Sequence, residues 1–276
     1  MKFGICCGPT SLAHEGEDVA ASVARLMTFM QEVGADYVEF GVGATLPEGS
    51  EADWEALRAA VTNQALRVEA FNSFIPGHHR ITGPDVNLQR VLDYCRTALP
   101  RCKALGGEVV VLGSAGARKV PAGFSHDEAR QQFIRFCRAL NPIAEEADIT
   151  IALEPLNTKE DNFLLSVGDG ARLVDEIAQP RIQLLADLYH MAEEKEPMQN
   201  VAQAGARLKH THLADIGRVA PGFATEGEED FIGFFRAMRT ADYDARCSFE
   251  GRFDDMSTQV EPALALMKQR WQESAA

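Results

Sequence analysis

The sequence predicts an α/β protein of the (β/α)8, or TIM-barrel, class. A short apolar run is followed by a helical pattern eight times along the chain. Many of these runs are almost continuously apolar, as in a parallel sheet buried on both faces. Polar and charged residues gather where the runs end, and in such a barrel that rim carries the active site. The rival is an open doubly wound sheet, but no GxGxxG follows the first run, where a dinucleotide-binding version needs it. One barrel domain commonly takes about 250 residues. The 276 residues show no linker, so a single domain spanning 1–276 is expected.

Each unit can be read in turn. The first strand covers 2–7, and its helix covers 18–33, ending at Gly34. YVEFGV leads to a helix over 54–65, and RVEAFNSF to one over 87–105, where Pro100 predicts a kink or break. EVVVLGS leads to 126–147, which Pro142 is expected to divide. ITIALEP is followed by 170–177, IQLLAD by 198–207, LKHTHLAD by 230–241 and RCSFEGR by 260–273. Strands joined through helices must run parallel.

Composition narrows the function. Apolar residues make up 46% and charged residues 25%, as in an ordinary soluble protein. No apolar run reaches the ~18 residues of a membrane span. MKFGICCGPT lacks the features of a signal peptide. The six cysteines form no CxxC, Cys6 and Cys7 read as small core residues, and a reducing cytoplasmic setting is expected. The net charge of −14 repels a phosphate backbone, which argues against nucleic acid as a partner and mildly disfavours strongly anionic substrates.

The chemistry is written at the strand ends. The run ending at Leu153 is followed by Glu154, and later runs end at Asp187, His212 and Glu250. A charge there is costly unless a metal or partner takes it. Two Glu, one Asp and one His form a ligand set for one hard or borderline divalent ion such as Mn²⁺, Mg²⁺ or Co²⁺. Asp187 could instead cap the following helix. His210 shares a strand face with His212 and is expected to lie one layer deeper, as packing or support. Asp215 is split between loop and support, and His78 and His79 read as rim residues. Glu39 and Asn72 are left open. The GSAGARKVPAGF loop carries Arg118 and Lys119, which could contact an acidic or phosphorylated substrate or simply be solvated.

LEPLNTKE, DLYHM, HTHLADIGR and SFEGRF, in this order, resemble the xylose isomerase-like barrel superfamily, in particular its sugar isomerase/epimerase branch containing D-tagatose 3-epimerase and hydroxypyruvate isomerase. The resemblance implies Glu154, Asp187, His212 and Glu250 as metal ligands, with Glu154 and Glu250 also the acid/base pair. It implies substrate contacts from Glu160, His190 and Arg218. The implied cofactor is Mn²⁺, with Mg²⁺, Co²⁺ or Zn²⁺ as substitutes. The implied partner is a small sugar or sugar acid, and barrels of this kind often pair, so a homo-oligomer is open. The first-strand loop, CCGPTSLAHEG, lacks the aromatic residues common in the ketose 3-epimerases.

The expected activity is proton transfer next to a carbonyl through a metal-stabilised enediolate, giving epimerisation or isomerisation of a keto-sugar. A metal-dependent lyase acting on a keto-sugar acid or inosose would use the same chemistry. An endonuclease IV-type repair enzyme needs more ligands than are present: Gly217 stands where a second histidine should be. A non-catalytic sugar-binding barrel would be expected to have lost a ligand, and none is missing.

Overall fold

Eight strands close on themselves in chain order in the computed structural model, which describes residues 1–275. They are β1 (Lys2–Cys7), β2 (Tyr37–Gly41), β3 (Val68–Asn72), β4 (Val109–Leu112), β5 (Thr150–Leu153), β6 (Ile182–Asp187), β7 (Leu208–Leu213) and β8 (Arg246–Phe249). Every neighbouring pair is parallel, and β8 returns to β1. The helices between them are α1 (Val19–Glu32), α2 (Glu51–Thr62), α3 (Leu88–Ala104), α4 (Ala115–Arg118), α5 (His126–Glu146), α6 (Val167–Ile177), α7 (Leu188–Glu193), α8 (Gln199–Ala204), α9 (Phe231–Thr240) and α10 (Met256–Glu273).

Two apolar regions hold the barrel. The larger lies between strands and helices and includes Phe40, Phe71, Leu153 and Phe249 from the sheet. The smaller fills the barrel interior with Tyr37, Ala70, Val109, Val111, Ala152 and Leu185. Gly4 on β1 makes room for this filling, because a Cβ there would collide with the Tyr37 ring. At the N-terminal end, Arg246 and Lys2 both pair with Glu69, at 2.9 and 2.6 Å, and Arg246 also pairs with Glu108.

Several helix starts follow their caps. Ser50 accepts the Asp53 N–H and Asp255 the Ser257 N–H, so α2 and α10 begin three or four residues earlier than their apolar patterns suggest. Neither helix breaks at its proline: α3 continues through Pro100 and α5 through Pro142. Both prolines are exposed, as are Arg96 and Arg138 one turn earlier, whose carbonyls lose their helical partner. Water can take those carbonyls, and a helix wrapping a barrel bends convex toward solvent, where a proline is least disruptive. The expected helix over 198–207 splits into α8 and a 3-10 turn, Gly205–Arg207, with Gly205 at φ +54. The short α4 and α7 lack the length to show an apolar period.

Candidate active site at the C-terminal rim

The strand ends converge as their residue types imply. Glu154 follows β5, Asp187 ends β6, His212 lies on β7 and Glu250 follows β8. Glu154 is buried and passes beside Gly113, where a Cβ would strike its Oε2, so the glycine after β4 clears space for the carboxylate. Glu154 Oε1 lies 3.1 Å from His212 Nδ1, and Glu250 Oε2 lies 3.6 Å from the same nitrogen. Asp187 performs both roles open to it. Its Oδ1 caps α7 by accepting the Tyr189 N–H at 2.8 Å, while its buried Oδ2 has no hydrogen-bond partner among the described residues.

The structure brings a second imidazole to this cluster. Donor atoms of Glu154, Asp187, Glu250 and His190 all lie within 4.8 Å of one another, whereas His212, the imidazole expected among the ligands, groups in the same way with Glu39 and Cys6. Hydrogen bonding separates the two histidines. The backbone N–H of Asn157 donates to His190 Nδ1 at 3.2 Å, which makes Nδ1 an acceptor and puts the proton on Nε2. That Nε2–H is buried, unpartnered and 3.7 Å from Asp187 Oδ2, so His190 is a donor aimed into the site. His212 is turned the other way: its Nε2 donates to Glu39 Oε1 at 3.0 Å, leaving Nδ1 toward Glu154 and Glu250. This is the carboxylate–histidine arrangement that supports metal-ligating imidazoles.

Glu39, left open by the sequence, is the hub beneath the site. Fully buried, it accepts His212 on one oxygen and both His210 Nε2, at 2.7 Å, and Ser248 Oγ, at 2.6 Å, on the other. Burial alone would raise its carboxyl, but His212 and His210 outweigh that and hold it well below the ordinary range. Burial holds His210 below its ordinary value, in keeping with the supporting role expected of it. For His212 burial acts in the same downward sense, yet Glu39 and Glu250 raise it well above the usual imidazole value. The signal for Glu39 was its place: a charge inside the apolar run YVEFG.

The two glutamates differ in acidity. Burial, with the Glu250 charge adding to it, raises Glu154. Burial pushes Glu250 upward too, but His212 and Arg218 overcome it and hold that carboxyl down to about 2.

A cavity of about 640 Å³ opens above them, lined by Glu154, Glu160, Glu250 and Arg218 with Leu156 and Ile75. Arg218 donates to Glu160 Oε1 at 3.0 Å and Glu250 Oε2 at 2.8 Å, and stacks on Tyr189 at 5.1 Å. Asn72, also left open, donates to Glu250 Oε1 at 3.0 Å. His78 and His79 pair with Glu48 at the rim. A larger cavity of about 730 Å³ lies at the opposite end among charges largely spent on ion pairs, including Arg246–Glu108 and Arg181–Asp148. Both readings of Arg118 fail. It is fully buried, with Nε on Asp161 Oδ2 at 2.8 Å and Nη1 on the Leu112 carbonyl at 3.0 Å, and it ties the loop after β4 to the loop after β5.

The residues present fit a divalent cation. The unpartnered Asp187 Oδ2 and the His212 Nδ1 between two carboxylates supply hard and borderline donors.

A parallel eight-stranded barrel with a buried carboxylate–imidazole cluster at its C-terminal mouth defines a TIM-barrel protein built around its strand ends. The chain belongs to the xylose isomerase-like TIM-barrel family, whose model matches residues 27–272. It is 25% identical over 270 residues to L-ribulose 3-epimerase of Methylomonas sp., covering 97% of this chain and 92% of that protein. With D-psicose 3-epimerase of Enterocloster bolteae it is 26% identical over 168 residues, 59% of this chain, and spans about half (54%) of that relative's length. Among solved structures, apo 3-keto-D-glucoside 4-epimerase from E. coli superposes with a TM-score of 0.79 at 24% identity, over 98% of this chain and 99% of that one. The IOLI protein, solved with a zinc atom, gives 0.73 at 18% identity, over 99% and 98%. At these identities the two structures speak to the fold alone. No helix among the described residues is long and apolar enough to cross a membrane.

Proposed function

We propose that the chain is a divalent-metal-dependent epimerase or isomerase of a keto-sugar. The observation that carries the reading is the convergence of Glu154 and Glu250, from β5 and β8, on His212 Nδ1 at the floor of one cavity. Glu154, Asp187, His212 and Glu250 would hold the cation, with Mn²⁺ the first candidate and Mg²⁺, Co²⁺ or Zn²⁺ able to substitute. When bound, it supplies Lewis-acid stabilisation of the negative charge that develops on the substrate's oxygens.

The chain's own groups do the rest. One of Glu154 and Glu250 takes the proton from the carbon beside the carbonyl, and the other returns one. Return to the opposite face of the same carbon is epimerisation, and return to the neighbouring carbon is isomerisation. The His190 Nε2–H, held in that tautomer by Asn157, donates to a substrate oxygen. Arg218, braced by Tyr189, and Glu160 grip hydroxyls farther along the sugar and fix its orientation. The partner is a small sugar or sugar acid, and the family relatives named above are sugar epimerases. All six cysteines are unpaired among the described residues, in keeping with the cytoplasm.

Glu154→Gln and Glu250→Gln test the assignment. Each is expected to abolish turnover while circular dichroism and thermal unfolding stay near wild type. Near-native activity in either variant on the true substrate refutes the two-carboxylate scheme.

A further inference from the structure

We infer that Glu48, His78 and His79 form a second metal site on the rim, a two-histidine, one-carboxylate clamp for zinc, separate from the strand-end cluster and independent of the activity proposed above.

Two tight turns bring the donors together. Glu48 sits in a turn closed by the Gly49 N–H on the Leu46 carbonyl at 3.0 Å. A Cβ on Gly49 would lie 2.9 Å from the Leu46 Cβ, so this turn needs its glycine. Arg101 fastens the same turn by donating to the Thr45 and Leu46 carbonyls. The His79 N–H closes the second turn on the Pro76 carbonyl at 2.9 Å. Neighbouring side chains on an extended strand point to opposite faces. Here the turn puts both imidazoles on one side, with ring centroids 4.4 Å apart. Both present Nε2 to Glu48. His78 Nε2 lies 3.2 and 3.1 Å from the two carboxylate oxygens, and His79 Nε2 lies 3.2 Å from Oε1.

These separations favour a metal clamp over a bare hydrogen-bonded cluster. Charge-assisted N–H···O bonds to a carboxylate run at about 2.7–2.9 Å. Donors held about 2.0–2.1 Å from a tetrahedral zinc stand about 3.3 Å apart. The 3.1–3.2 Å found here lie closer to the second figure. His79 is buried, its ring 5.0 Å from that of Tyr94, whose hydroxyl donates to the Phe74 carbonyl at 3.0 Å. Its Nδ1 has no hydrogen-bond partner among the described residues. Nothing on that side fixes the tautomer, in contrast to His190 and His212, so Nε2 can present its lone pair to an ion. Glu48 and His78 are half exposed, at 50% and 52%, which gives an ion a route in and leaves a fourth position to water, as in three-ligand zinc sites. Two imidazoles with one carboxylate suit zinc, whereas the carboxylate-rich strand-end set suits Mn²⁺. The loops joined in this way also supply Gly43, Ala44, Ile75 and Pro76 to the wall of the active-site cavity, so the ion would tie two parts of that wall together.

The test uses the full chain, stripped with a chelator and titrated with Zn²⁺ alone against a chromophoric chelator, as wild type, His78→Gln and Glu48→Gln. Wild type is expected to bind one equivalent of zinc more than either variant, whether or not the strand-end cluster also takes zinc. The affinity for that equivalent should fall by at least about 100-fold, beyond the ~10–100-fold that loss of an outer support costs. In wild type, zinc should also shift the 15N resonances of Nε2 in both His78 and His79, which tests the site even where a variant folds poorly. Equal stoichiometry and affinity in wild type and variants, or zinc uptake that leaves both Nε2 resonances unmoved, overturns the inference.

Discussion

Glu39→Gln isolates how the site is supported from below. The carboxylate accepts three donors: His212 Nε2 on Oε1, and His210 Nε2 and Ser248 Oγ on Oε2. An amide cannot accept all three. With its NH2 toward His212, that ring must move its proton to Nδ1, the nitrogen that the proposed cation would use. With its NH2 toward His210 and Ser248, those two groups must turn over instead. In both orientations the negative charge that makes His212 Nδ1 basic is gone. Changes to a carboxylate behind a metal-ligating histidine typically cost about 10–100-fold in metal affinity. One poorly satisfied buried polar group costs about 1–3 kcal/mol of stability. Mn²⁺ affinity, measured by competition against a chelating dye, is therefore expected to fall about 10–100-fold, with a small drop in Tm. Wild-type affinity in Glu39→Gln would refute the orientation of His212 described above.

Three further outcomes follow from other parts of the molecule. Arg118→Met leaves Asp161 buried without its partner and should cost about 3–5 kcal/mol, read by urea unfolding, while Arg118→Met with Asp161→Leu should recover much of the loss; an undiminished single variant would contradict the buried pair. Burial alone would raise Glu69, but Lys2 and Arg246 hold it below its ordinary value. Its stabilisation is full above the unfolded-state value of about 4.3 and is lost as pH falls through the folded-state value. The deficit of Glu69→Gln at neutral pH should therefore shrink in acid, and a deficit independent of pH would contradict it. His212 and Glu154 hold protons more tightly than free side chains do. A cation bound through them must displace those protons, so affinity should weaken as pH falls, with proton release visible by calorimetry in buffers of different ionisation enthalpy.

The barrel was legible because many of its strands are almost continuously apolar runs that end in charge. The same rule placed Glu154, Asp187 and Glu250, whose positions depend only on where a strand stops. Contacts between distant strands were not legible. Glu39 and His212 are 173 residues apart, and nothing local to either shows that they meet. The proposed division of tasks between His190 and His212 rests on which ring nitrogen each presents, and that is fixed by Asn157 and Glu39. Arg118 looked like a surface cation because its partner, Asp161, lies 43 residues away in another loop. That the helices run on through Pro100 and Pro142 was not legible for a related reason: whether a proline breaks a helix depends on whether it faces solvent, which the barrel decides.

The proposed function requires proton exchange at the carbon beside a carbonyl, carried out by Glu154 and Glu250. Proton NMR of a neutral ketose incubated with Mn²⁺-loaded protein in D2O tests it most directly. Deuterium is expected at that carbon, with no loss of water or CO2, and the exchange is expected to disappear in Glu250→Gln. Conversion without deuterium incorporation, or release of water or CO2, would contradict it.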